Sequence, residues 1–179
     1  INREQPDIFL TMESNLDWEN AMQPLEKDYP YSQKIALENT YGMHFYTKLK
    51  VISLKVHHFV ADDLPSIEAE IETNDGYRFV FFGVHPPPPS PTEEATSKER
   101  DGDLLSVAKQ VKDYKLPVFV TGDFNTVAWS RASILFKKTS GLIDARYGRG
   151  YLATFHTKYW FFRIPLDLLY HSSTIFIRY

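Results

Sequence analysis

Cysteine is absent from this chain, so disulfide frameworks and thiolate-held metal centres are excluded. Also lacking is any apolar run near the roughly 18–20 residues that a membrane-crossing helix needs, and no signal-peptide pattern opens the sequence. There is no large excess of one charge: 20 Lys and Arg stand against 23 Asp and Glu, a net charge of −3. The broad basic footprint of a non-specific nucleic-acid binder is therefore missing. No internal repeat and no linker divides the chain, and its 179 residues suit one domain. It opens with Ile1 rather than Met, so it is expected to be an excised or processed piece.

What is present is aromatic. Phe, Trp and Tyr make up 15% of the residues, with 13 Phe and 11 Tyr, and this composition favours strands over helical bundles. The charges are unevenly placed: residues 1–130 are acidic and residues 131–179 are basic. That basic end suits either phosphate-bearing ligands or plain solvent. Runs of strand length recur at Asp7–Met12, Lys34–Glu38, Met43–Thr47, Val51–Val60, Ile67–Thr73, Tyr77–His85, Pro117–Thr121 and Pro165–Tyr170. Ile67–Glu72 alternates apolar and acidic residues, as a half-exposed strand does, and Asn74-Asp75-Gly76 supplies a hairpin turn after it. Three runs, around Asp7–Met12, Arg78–His85 and Pro117–Gly122, are apolar on both faces and are expected to be central strands. Helices are expected over Ser14–Lys27, interrupted by Pro24, over Glu93–Tyr114, and over Ala128–Lys138 with Gly141 as the stop. Pro86–Pro91 reads as a stiff connection. Together these elements predict two packed sheets flanked by helices.

Polar residues fall where the apolar runs end. The first run ends in Glu13, the sixth in His85, and the seventh in Asp123 with Asn125 two residues on; Asp167 lies within the last. If these strands are neighbours, their ends share one edge of the fold. Carboxylates and carboxamides are hard oxygen donors suited to Mg²⁺ or Mn²⁺. A carboxylate beside such an ion can orient and deprotonate water, and His85 and Asn125 can donate to phosphoryl oxygens. Each residue also has a plainer reading. Gly-Asp-x-Asn alone is a turn, Glu13 alone is a helix-start carboxylate near Ser14, and His85 alone is a packed histidine. Asp167 among apolar neighbours is expected to be buried and to need a partner.

The motifs resemble those of the endonuclease/exonuclease/phosphatase superfamily. Asp7-Ile8-Phe9-Leu10-Thr11-Met12-Glu13 resembles its first signature, Gly83-Val84-His85 its phosphate-contacting strand, and Thr121-Gly122-Asp123-Phe124-Asn125 its Gly-Asp-Phe-Asn signature. Arg163-Ile164-Pro165-Leu166-Asp167 resembles the late motif whose Asp orients a catalytic His. The resemblance implies an α+β fold, a four-layered α/β/β/α sandwich with two mostly antiparallel sheets, incomplete at its termini. It further implies that Glu13 holds Mg²⁺ or Mn²⁺, Asp123 activates water, Asn125 and His85 stabilise the phosphate, and Asp167 supports a His. Substrates of such proteins are phosphate esters: nucleic acid, phospholipid head groups, and sugar or inositol phosphates. Gly141–Ala145, Gly148–Gly150 and Thr154-Phe155 resemble a bacterial branch, which implies a membrane anchor outside this chain.

Two departures qualify the resemblance. The family's opening Asn-bearing strand and its closing Ser-Asp-His signature have no counterpart here. His171 follows Asp167 by four residues, about 13 Å along a strand, too far to replace that His. Sheets lacking end strands are expected to expose edges that pair with another copy. The sequence thus supports a metal-dependent phosphoesterase, inactive if the missing segments are essential. The alternative is a non-catalytic module on the same fold that binds a phosphorylated ligand or a protein. The basic residues Arg131, Lys137, Lys138, Arg146 and Arg149, and the aromatics Tyr151, Trp160 and Phe161, are candidates for substrate contact, with the aromatics expected to be core.

Overall fold

The computed structural model describes residues 1, 3–88, 97–155, 158 and 163–178. Trp160, Phe161 and the start of the proposed second helix lie outside them.

Two sheets form the centre. The smaller contains β1 (Ile8–Met12), β2 (Tyr31–Ile35) and β3 (Met43–Thr47) in the order β1-β3-β2, all antiparallel. The larger contains β4 (Lys50–His58), β5 (Pro65–Glu72), β6 (Arg78–Val84), β7 (Val118–Asp123), β8 (Ile143–Asp144) and β9 (Asp167–His171) in the order β4-β5-β6-β7-β9-β8. Only the β6–β7 pair in it is parallel.

Side-chain alternation assigns the layers. Met43 and Phe45 of β3 meet Ile67, Ala69, Ile71, Phe79 and Phe81 between the sheets. The opposite face of the larger sheet, with Val80, Phe82, Val118, Val120, Leu168 and Tyr170, is covered by α2 (Lys98–Lys112) and α3 (Arg131–Ser140). α1 (Leu16–Met22) covers the outer face of the small sheet, where Met22, Tyr29 and Tyr46 pack with Phe9. The result is the four-layered α/β/β/α sandwich. A fully buried Phe or Leu in these layers stabilises by about 2 kcal/mol.

Local chemistry explains the helix limits. The Asn15 side chain caps α1 by accepting from the Trp18 amide at 3.2 Å, and Asp17 and Glu19 favour its first turn. The α-helix ends at Met22, and Pro24 sits in a short 3₁₀ turn, Gln23–Leu25, so the expected helix to Lys27 is cut short. α3 runs Arg131–Ser140 rather than Ala128–Lys138, because Ser130 caps it, and Gly141 closes it in the left-handed conformation as expected. No helix among the described residues is long and apolar enough to cross a membrane.

Four expectations are corrected. β1 is an edge strand of the small sheet, although it is apolar on both sides, because layers rather than strand neighbours cover its two faces. β2 lies at Tyr31–Ile35 rather than Lys34–Glu38, in register with β3. The acidic face of β5 is not wet at Glu68, which is 3% exposed. Glu68 pairs with His57 at 2.7 Å and Lys55 at 3.3 Å. Burial pushes its carboxyl up, but hydrogen bonds from Tyr114, His57 and Lys55 outweigh this and hold it below the usual range. The short strand β8 was not expected, and it pairs with β9 at the sheet's end.

Candidate functional site

The parallel pairing of β6 and β7 puts their C-terminal ends together, and antiparallel β9 begins at the same edge. Val84 pairs with Gly122, so His85 follows one strand where Asp123 closes the other. Asp123 and Asp167 are register partners across β7 and β9, two carboxylates side by side at one strand end. Glu13 comes from the other sheet. It follows β1, and the preceding residue, Met12, places its Sδ 3.0 Å from the Asp123 amide, which donates to it. That contact joins the two sheets at the site.

Close backbone approach makes this possible. A Cβ at Gly122 would lie 1.8 Å from the Val84 carbonyl oxygen, so only glycine lets β7 lie this close to β6. A Cβ at Gly42 would likewise fall 1.8 Å from the Ser14 carbonyl oxygen. Gly42 accepts from the Ser14 amide at 3.0 Å, and the Thr11 and Ser14 hydroxyls lie 2.8 Å apart, which fixes the turn that carries Glu13.

Two of the candidate residues hold unusual backbone. Glu13 has φ +57° and Asn125 has φ +47°, both in the left-handed region. Asn125 is held there by three contacts: its amide donates to Asp123 Oδ1 at 2.8 Å, its Nδ2 donates to the Pro86 carbonyl at 2.9 Å, and its carbonyl accepts from Arg100 Nη1 at 3.1 Å. Such strain is kept where surrounding contacts over-determine it, commonly at sites. His85 is buried at 4% exposure, with its ring 5.8 Å from that of Tyr41. Burial raises the Asp123 carboxyl above its ordinary range; the Asn125 amide opposes this, and the Asp167 charge adds to it.

Asp167 differs from expectation. It is exposed rather than buried, and its amide donates to Thr154 Oγ1 at 3.1 Å. Its carboxylate meets no histidine among the described residues. His171 lies at the other end of β9, opposite Phe119, with Nδ1 2.9 Å from the Ser172 carbonyl. Sequence reasoning missed Met12, Arg100 and the hydroxyl of Thr154 as parts of this region. None carries a local signal, because each acts through a partner distant in sequence.

The donors suit a hard cation. Glu13, Asp123 and Asp167 offer carboxylate oxygens and Asn125 a carboxamide. No cluster of three or more His, Asp or Glu that could hold a metal ion is assembled among the described residues. Mg²⁺ does not require one, since it commonly keeps several waters and takes one or two protein carboxylates with substrate phosphate.

Residues 1–178 match the Endonuclease/Exonuclease/phosphatase family, and the chain belongs to it. Among curated proteins, none matches. Several solved structures share the fold. The human Nocturnin catalytic domain with bound sulfate is 19% identical with a TM-score of 0.72, covering 97% of this chain and 72% of that one. TDP2 from D. rerio, complexed with a single-strand DNA product, is 15% identical with a TM-score of 0.78 over 97% and 74% of the two chains. The mannosyl-6-phosphatase of Bacteroides thetaiotaomicron is 17% identical with a TM-score of 0.72 over 97% and 73%.

Proposed function

We propose that this chain hydrolyses phosphate esters with the assistance of Mg²⁺ or Mn²⁺. The observation that carries this reading is the meeting at one edge of Asp123, Asn125, Asp167 and His85 from one sheet with Glu13 from the other, two of them on left-handed backbone. In this reading Glu13 would hold the metal ion, which when bound would supply neutralisation of phosphoryl and leaving-oxygen charge. Asp123 holds a water in line with phosphorus and takes its proton. A carboxylate raised above its ordinary range by burial is the better base for that transfer. Asn125 and His85 donate to the non-bridging oxygens, where negative charge gathers as the water attacks. The structural relatives, among them a phosphatase and a protein complexed with a DNA product, support the reaction class without choosing the substrate.

A second reading has one observation in its favour. Asp167 stands exposed without a histidine partner among the described residues, as suits a module that binds a phosphorylated ligand or protein and does not turn it over. The edge of β1, unpaired among the described residues, further supports pairing with another copy.

The test is hydrolysis of a generic phosphodiester and a phosphomonoester with Mg²⁺ or Mn²⁺, by the chain and by Asp123→Ala. Turnover that is abolished by chelation and reduced on the order of 10²–10⁴-fold in the variant is expected. Metal-independent turnover, or an Asp123→Ala chain as active as the original, refutes the assignment. Binding of phosphorylated ligands without turnover of any ester would favour the module.

A further inference from the structure

The Asp123 amide takes its acceptor from outside its own sheet. The next amide, that of Phe124, donates to the Leu166 carbonyl at 3.0 Å, so in this antiparallel pair the Asp123 amide points away from β9 and toward β6. β6 has already ended there, since its last pair with β7 joins Val84 to Gly122. A part-buried amide without an acceptor is costly, and the acceptor is supplied by Met12 Sδ, 3.0 Å away. Alternation along β1 puts Met12 on the same face as Ile8 and Leu10, which pack toward the larger sheet, and its unbranched thioether spans the gap that remains. A thioether is a weak acceptor, so the strand end that carries Asp123 is held by a soft contact.

Met12 is also the methionine that solvent reaches. The chain has three methionines. Met43 is fully buried between the sheets, and Met22 is 6% exposed under α1. Met12 is half-buried and lines a cleft of about 310 Å³ with Leu10, Thr121, Gly122 and Asp167. Such a cleft admits hydrogen peroxide, a molecule little larger than water.

We propose that Met12 is a site of reversible oxidation whose sulfoxide displaces Asp123 and turns the edge off; the switch rests on the phosphoesterase reading of that edge. In the forward step a sulfur lone pair attacks one oxygen of hydrogen peroxide and the O–O bond breaks. The departing hydroxide takes the proton of the new S–OH group and leaves as water, so sulfur is oxidised by two electrons and the peroxide is reduced. Methionine sulfoxide reductases reverse the step: a dithiol supplies the two electrons, becomes a disulfide, and the sulfoxide oxygen leaves as water. In one epimer the new oxygen falls between sulfur and the Asp123 nitrogen, where 3.0 Å leaves no room for it. In the other its partial negative charge enters the cleft that Asp167 lines. Either way Met12 gives up its place and Asp123 moves with it. Met12 is thus a positioning residue, acting through Asp123, and a displacement of about 1 Å there costs about 10²-fold in turnover.

The test treats the full chain with hydrogen peroxide. Tandem mass spectrometry, which reads each position separately, is expected to show Met12 gaining one oxygen on the order of tenfold faster than Met22 and Met43. The rings of Trp18, Trp129 and Tyr151, exposed although the sequence suggested a core position for Tyr151, are scored as separate positions. In the singly oxidised chain the backbone amide NMR signal of Asp123 should shift and turnover should fall about 10²-fold. Reductases of both epimer specificities should restore both. Met12→Leu removes the sulfur, and Met12→Gln replaces it with an oxygen acceptor; whichever of them folds should show no response to peroxide in either readout. Met12 reacting no faster than the buried methionines, an unmoved Asp123 signal, unchanged turnover of an active chain, or a peroxide response that persists in the variants overturns the switch. Selective oxidation of Met12 with a reversible shift of the Asp123 signal, in a chain that turns over no ester, supports the oxidation site and sinks the hydrolase reading alone.

Discussion

Asp103 provides a prediction that depends on no substrate. It lies on the core-facing side of α2 beside Leu104 and Val107, 2% exposed, and its Oδ1 has no hydrogen-bond partner among the described residues. Burial pushes its carboxyl from 3.8 up to about 7. The unfolded chain releases this proton near 3.8, while the folded chain keeps it until about 7. Between those values the native state binds more protons, so stability falls as pH rises, by about 1.4 kcal/mol per unit, and levels off above the folded value. Over some three units the loss is about 4 kcal/mol, a large share of the roughly 5–15 kcal/mol that holds a domain folded. Asp103→Asn keeps the shape and removes the titration. Urea unfolding of both chains from about pH 4 to about pH 8 is the assay, and the variant should gain about 4 kcal/mol on the original across that range. His44, held low by burial, and Glu68, held low by its partners, titrate in both chains, so the difference isolates Asp103. A difference that stays flat with pH would refute the argument.

Two further predictions concern the fold around the site. Gly122→Ala places a methyl 1.8 Å from the Val84 carbonyl oxygen at a residue with φ +150°, so β6 and β7 must separate. A loss of about 2–4 kcal/mol in chemical denaturation is expected, together with a fall in any Asp123-dependent activity, and wild-type stability would contradict the close-approach argument. Among the described residues β1 leaves one edge unpaired beside a groove of about 970 Å³ floored by Phe79, Phe81, Phe119 and Leu169. Sedimentation velocity should show concentration-dependent association that Ile8→Lys weakens; a monomer at all concentrations with a cooperative melt would remove this role for the edge.

Some elements were legible because their causes are local. The β5–β6 hairpin follows from Asn74-Asp75-Gly76, where the Thr73 amide donates to the Tyr77 carbonyl at 2.9 Å and Gly76 takes φ +84°. The misplaced features have causes that are not local. An apolar run on both faces says that something covers each side; it does not say that strands lie on either edge. β1 meets that condition as an edge strand, with Phe9 stacked on Tyr46 at 4.8 Å under α1 and Leu10 packed toward β3, β5 and β6. Alternation in β5 similarly reports one acidic face, but whether water or protein covers Glu68 is decided by His57 on β4 and Tyr114 after α2.

The candidate site divides along the same line. Glu13, His85, Asp123 and Asn125 were readable as polar residues at the ends of apolar runs, because strand termini show in composition. The pairing of Asp123 with Asp167 was not, since it is a matter of register between segments more than forty residues apart. That pairing bears most directly on function. Like charges directly opposite on neighbouring strands destabilise a sheet, and here the Asp167 charge adds to the cost of ionising Asp123. Glu13 and Asn125 add left-handed backbone at the same edge. Among the described residues no cationic side chain offsets the two carboxylates: Asp123 accepts one amide, and Asp167 is exposed. A turn has no need of such an arrangement, whereas a cation and a phosphoryl group arriving between these groups would convert repulsion into binding. This is the physical reason for reading the edge as a site rather than as a set of loops.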